Sequence, residues 1–176
     1  MGSIRIIQSS PERTGSTLLL NLIHGFLSPE EEIHWDTDVK INEYLITKTH
    51  NINVDDMINR YKRYDLYFVM SERNDNKVKK LIDNRYREYS NVLIINYINI
   101  NVTDYLTIER VIEYSFNKFY NFFPKKIIPH MKKEYIKKNM LNRIENMNKV
   151  TEQIKDRSFE YWDKFYGVHG GHRNRS

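Results

Sequence analysis

Two short stretches of this chain carry residue types that group-transfer chemistry requires, and each follows an apolar run. The first is Pro11-Glu12-Arg13-Thr14-Gly15-Ser16-Thr17, between Ile4, Ile6 and Ile7 and the leucine-rich run Leu18 to Ile23. Hydroxyls, a cation and a glycine ahead of a helix suit an anion. The first N–H groups of a helix have no internal partner, and that end carries partial positive charge. Gly15 allows the backbone to come close to a ligand. The Gly-Lys-Ser/Thr ending of a Walker loop is not met, because Ser16 stands where the Lys would be and Arg13 supplies the cation earlier. This is a phosphate loop of a different kind. The same residues also suit an ordinary helix start, with Thr14 or Ser16 as N-cap.

The second stretch, Lys48-Thr49-His50, closes the apolar run that begins at Glu43. Residues two apart on an extended strand project from the same side. Lys48 and His50 so placed suit transfer of an anionic group: a base takes the acceptor's proton while a cation neutralises charge on the group in transit. Read alone, a histidine after a strand is an ordinary surface or half-buried residue. Further on, Arg73 follows the apolar run from Asp65 to Ser71. Its guanidinium suits two oxygens of one phosphate, or simply solvent. The tail Tyr166 to Arg175 holds three of the six glycines, Gly167, Gly170 and Gly171, beside His172 and Arg173. It reads as a shaped loop or as a free terminus.

Taken in order, these segments resemble the sulfotransferases that use 3′-phosphoadenosine 5′-phosphosulfate (PAPS). Pro11 to Leu19 is similar to the family's 5′-phosphosulfate loop, written P-K-S-G-T-T or R-T-G-S-T before a helix. Lys48-Thr49-His50 resembles the K-T-H that closes the second core strand, whose His is the catalytic base. Asp65 to Asp75 is similar to V-[SV]-R-D-P, whose Arg, here Arg73, holds the cofactor's 3′-phosphate. The family commonly adds a Ser eight residues on, where this chain has Leu81, so Ser71 or a neighbour substitutes or that site is built differently. The tail loosely matches the family's C-terminal glycine-containing loop. The resemblance implies His50, Lys48 and Arg13 as catalytic residues. It implies Arg13, Thr14, Gly15, Ser16, Thr17, Arg73, His172 and Arg173 as the cofactor site. PAPS would be the sulfuryl donor and 3′-phosphoadenosine 5′-phosphate (PAP) the product, with no metal. Some branches use a carboxylate base, for which Glu43 or Asp36 lies within sequence reach.

These groups need a scaffold that brings them to one edge. The periodicity predicts strands over 4–8, 44–48, 66–71 and 92–98 and helices over 16–27, 54–63, 76–89 and 104–122, then helices over 130–156 and 158–166. Alternating strands and helices predict an α/β fold, three layers with a mainly parallel sheet, P-loop-like, with a helical C-terminal portion. In such sheets ligands bind outside the carboxyl ends of the strands, where Arg13, Lys48, His50 and Arg73 all fall. Pro29 to Asn42 reads as the longest connection and as a candidate part of an acceptor pocket. Trp35 within it reads as a core anchor.

A chain of 176 residues without a linker or repeat suits one domain over 1–176. Cysteine is absent, which excludes disulfides and thiol chemistry. No apolar run approaches a membrane span and no signal segment opens the chain, so a soluble, cytoplasmic protein is expected. The net charge of +5 is concentrated: residues 118–157 hold eleven Lys/Arg against four Asp/Glu. That block is amphipathic and suits an anionic partner or a solvated lysine face. No signature for specific nucleic-acid recognition accompanies it. The expected partner is a small-molecule or carbohydrate acceptor. Two other functions are compatible with these residues: a nucleotide or small-molecule kinase with a degenerate phosphate loop, and a non-catalytic polyanion- or nucleotide-binding module. The kinase needs Mg²⁺ and an acidic residue at a strand end, and the strands' apolar runs close on Lys48, Ser71 and Asn96.

Overall fold

The computed structural model describes residues 3–11, 14–27, 38–41, 44–72, 82–96 and 108–151. Among these residues five strands form one sheet: β1 (Ile4–Ser9), β2 (Asp38–Ile41), β3 (Tyr44–Thr49), β4 (Asp65–Ser71) and β5 (Val92–Ile95). Their spatial order is β2-β3-β1-β4-β5. β3, β1, β4 and β5 run parallel, and β2 adds an antiparallel edge to β3. The helices are α1 (Ser16–Leu27), α2 (Val54–Arg60), α3 (Ile108–Phe122) and α4 (Lys133–Thr151).

The period-two alternation of the strands divides the core between the faces of the sheet. Ile4, Ile6, Ile46, Val69 and Ile95 face α1, α3 and α4, while Ile7, Leu66, Phe68, Met70 and Val92 face α2 and a 3-10 turn over Asn84–Glu88. Helices therefore cover both faces, as a parallel sheet requires. All twelve residues of α1 are buried. Phe26 fills the centre of that layer, with the rings of Phe116, Phe119 and Phe123 at 5.8, 5.5 and 6.0 Å. α2 starts at Asn53, whose side chain accepts the Asp56 N–H at 3.0 Å, and Asp55 and Asp56 complement the helix dipole.

Several elements differ from the sequence expectation. β2 lies within the stretch read as a connection: residues 38–41 pair with β3 from Tyr44 to Thr47. α2 ends at Arg60, because the chain turns through Tyr61 to Tyr64 to enter β4. Of the helix expected over 76–89, the described part is the short 3-10 turn opened by Asp83, whose carboxylate accepts the Arg85 N–H at 3.0 Å. β5 ends at Ile95, and α4 begins at Lys133 after a turn through Pro124 and Pro129, while residues 104–107 of the helix expected over 104–122 lie outside the described residues. The helix expected over 158–166 and Trp35 lie outside the described residues.

α1 and α4 approach closely at Gly25. A Cβ built there would stand 2.8 Å from the Cα of Met140, a backbone atom that moves only with its helix. Gly25→Ala gains about 1 kcal/mol in helix propensity, and overpacking a filled interface costs about 1–3 kcal/mol. Gly25→Ala is expected to lower the urea midpoint, at a net cost of about 1 kcal/mol. An unchanged or higher midpoint would show that the two helices separate freely.

Candidate functional site

The carboxyl ends of β1, β3 and β4 meet over the N-terminus of α1. The connections leaving β1 and β3 go to opposite sides of β1, which makes this edge the switch point of the sheet, where open α/β folds bind ligands. Gly15 turns the chain into α1 with φ 86°, a left-handed conformation that disfavours side chains. Its carbonyl accepts the Leu19 N–H at 2.9 Å, so the helix opens directly on the loop. The N–H groups that precede Leu19 are the ones a helix leaves unpaired.

Lys48 reaches this opening from β3. Its Nζ donates to Thr17 Oγ1 at 3.0 Å, and both side chains are buried. Among the described residues no carboxylate pairs with Lys48, and burial lowers its pKa from the ordinary 10.5. A buried cation and a helix N-terminus thus concentrate positive charge at one point. An anion placed there would offset the desolvation of both.

His50 lies just past the end of the same strand and is exposed. Its Nδ1 is 2.9 Å from the carbonyl oxygen of Ser10. A carbonyl only accepts, so the neutral ring carries its proton on Nδ1 and leaves the Nε2 lone pair available. That is the tautomer a general base needs.

The loop is held from beneath by hydroxyls. Ser71 Oγ, at the end of β4, is 2.9 Å from both Thr14 Oγ1 and Ser10 Oγ. Ser10 Oγ also accepts the Ser71 backbone N–H at 2.9 Å and the Gln8 amide at 2.7 Å. The Thr14 hydroxyl donates to the Pro11 carbonyl at 2.7 Å. Thr14 and Ser71 are both buried. Their hydroxyls therefore fix the loop from the end of β4.

Of the residues expected in the site, Thr14, Gly15, Ser16, Thr17, Lys48 and His50 come together at this edge. Arg13, Arg73, His172 and Arg173, with the alternative bases Asp36 and Glu43, lie outside the described residues. Sequence reasoning passed over Ser10, whose signal was its place directly after a buried strand. It also passed over Glu72, one residue past the end of β4, which is buried and ion-paired with Arg87. Among the described residues no group of three or more His, Cys, Asp or Glu side chains is placed to hold a metal ion. Nor is any helix there long and apolar enough to cross a membrane. Comparison with family models, with characterised proteins and with solved structures returned no match.

The buried charge of Lys48 opposes folding in the absence of an anion. Its folded pKa is lower than its unfolded one, so the unfolded chain binds more protons between the two values. Stability therefore rises with pH through that window below 10.5, and the cost is fully present at lower pH. Lys48→Met should raise the melting temperature of the ligand-free protein at pH 7 by about 2–4 °C, the equivalent of about 1 kcal/mol, and flatten its rise toward alkaline pH. A lower melting temperature in thermal scans would show that the Thr17 contact outweighs desolvation.

Proposed function

We propose that this chain is a sulfotransferase that moves a sulfuryl group from PAPS to a hydroxyl or amine acceptor. One observation carries the reading: Lys48 bonds Thr17 at the N-terminus of α1, and His50, two residues further along the same strand end, bonds the Ser10 carbonyl and keeps its Nε2 lone pair available. The ordered resemblance of the loop and of Lys48-Thr49-His50 to the PAPS-dependent family supports it.

In this reading the 5′-phosphosulfate lies over Gly15, Ser16 and Thr17, held by N–H groups at the start of α1. The acceptor oxygen attacks sulfur in line while its proton passes to His50 Nε2. The bond from sulfur to the bridging oxygen breaks and PAP leaves. Lys48 stabilises the charge that develops on the bridging or sulfonyl oxygens, and burial strengthens that interaction. Arg13 adds charge at the same group, Arg73 holds the 3′-phosphate, and His172 with Arg173 closes over the nucleotide. These four roles rest on the resemblance.

A kinase is the second reading, and Glu72 is the observation that favours it. It places one buried carboxylate at a strand end beside β1, where a Mg²⁺ ligand would be needed. Its pairing with Arg87 leaves that carboxylate already neutralised.

Nucleotide binding separates the readings. PAP at a hundredfold excess over its dissociation constant adds about 2.7 kcal/mol, a rise of about 5–10 °C in melting temperature. Adenosine 5′-phosphate, lacking the 3′ group, should give far less. A shift with ATP and Mg²⁺ alone would replace the sulfotransferase reading with the kinase, and no shift with any nucleotide would leave a polyanion-binding module.

The base is tested in turnover. His50→Ala should reduce sulfuryl transfer by about 10²–10⁴-fold while PAP affinity changes only a few-fold. Near wild-type turnover in that variant would move the base to Asp36 or Glu43.

A further inference from the structure

The large apolar side chains that stay exposed among the described residues are Tyr135, Met131 and Tyr120, at 59%, 41% and 36%. They share one region: the last turn of α3, the turn from Phe123 to Lys132 and the first turn of α4. Lys133 Nζ lies 4.3 Å from the Tyr120 ring centre, and Met131 Sδ lies 3.8 Å from the Asn139 amide nitrogen. Tyr135 and Asn139 stand four apart on α4 and share a face, and the contact with Asn139 brings Met131, just before the helix, to the same side.

The same region carries the chain's densest positive charge. From Phe123 to Lys138 there are six lysines and a single acid, Glu134. Lys126 is paired with Asp65 and Lys137 with Glu113. Lys125, Lys132 and Lys138 are exposed and form no ion pair among the described residues. Exposed apolar tips rimmed by uncompensated lysines mark an interaction surface. A packed lysine face in water would account for the charge, and it leaves Met131 and Tyr135 unexplained.

We propose that this surface docks on an anionic lipid bilayer. The cations are all lysines, with no arginine between Val111 and Asn142. Flexible point charges suit a diffuse anionic plane, whereas planar, bidentate recognition of single phosphates favours arginine. Methionine is a flexible apolar chain without a flat face for base stacking, which suits the acyl boundary better than a nucleic acid. Tyrosine belongs at such a boundary, with its ring in the apolar layer and its hydroxyl in water.

The fold sets the orientation. Lys126 bonds Asp65 at 2.9 Å, which fixes the turn at the first residue of β4. The candidate site lies at the other end of that strand, six residues on at Ser71, or about 20 Å. A bilayer held at the turn leaves the site facing water.

Flotation with liposomes tests the surface. Vesicles of 30% phosphatidylserine in phosphatidylcholine should carry the protein upward at low salt, and pure phosphatidylcholine should not. Each lysine at such a surface is worth about fivefold in partitioning. Lys132→Glu with Lys138→Glu should therefore weaken binding by more than about twentyfold. Met131→Ser with Tyr135→Ser should weaken it by about tenfold or more while keeping the charge. All four positions are exposed, and unchanged melting temperatures will confirm that both variants fold. Absence of binding to the anionic vesicles overturns the proposal. So does binding that ignores Met131 and Tyr135 and is matched by heparin or a single-stranded oligonucleotide, because the surface is then a general polyanion site.

Discussion

Ser10 ties together the ends of three strands. Its N–H donates to Thr49 O at the end of β3, at 3.2 Å, and its hydroxyl accepts the Ser71 N–H at the end of β4. Its carbonyl holds the ring of His50. The residue is fully buried, so each of these groups would be costly to leave without a partner. A second tie runs from Ser9 Oγ to the Asn51 carbonyl. Parallel pairing delivers β1, β3 and β4 to a common edge, and Ser10 sets how they meet there. The loop above it inherits that geometry through Thr14 and Ser71. Buried polar networks of this kind rigidify what they support.

Two buried cations address α1 from different sides. Lys48 reaches the Thr17 hydroxyl from the sheet. From α4, Arg143 reaches Asn21 Oδ1 at 3.3 Å, and the Asn21 amide donates to the Thr17 carbonyl at 2.8 Å. Arg143 also lies 3.1 Å from His24 Nδ1, which favours a neutral ring as acceptor. The first turn of α1 is thus braced through both its side chain and its backbone. An anion placed there would meet groups whose positions are already set, so little reorganisation would accompany binding.

The α/β class and the parallel core were legible in the sequence because the buried strands and α1 are apolar in strong, regular patterns. Val92 to Ile95 and Leu18 to Ile23 have little alternative to burial. β2 was not legible: Asp38-Val39-Lys40-Ile41 is four residues long, and its strand state comes from pairing with β3 rather than from its own composition. The end of α2 was equally hidden, since Tyr61 to Tyr64 continue a helix-compatible pattern. Their turn brings Tyr61 and Tyr64 over the guanidinium of Arg5, at 4.3 and 4.5 Å, a contact with a residue nearly sixty positions earlier. At the site, Lys48, His50 and the loop hydroxyls stood out by type and spacing. Ser10 and Glu72 did not, because a serine and a glutamate near strand ends become distinctive only through partners remote in sequence.

The strand order has a consequence for how the chain folds during synthesis. β1 is made before either of its neighbours, yet it is the central strand: Arg5 is paired with Leu45 on one side and Leu66 on the other. At about 5–20 residues per second, the partner strands emerge only seconds after it. Until then Ile4, Ile6 and Ile7 and the apolar face of α1 have nothing to pack against but each other. Long-range parallel pairing also closes slowly. Among the described elements, the fully buried β1 and α1 are the ones that wait longest on the ribosome, and they present there an adhesive strand that a holding chaperone is suited to cover.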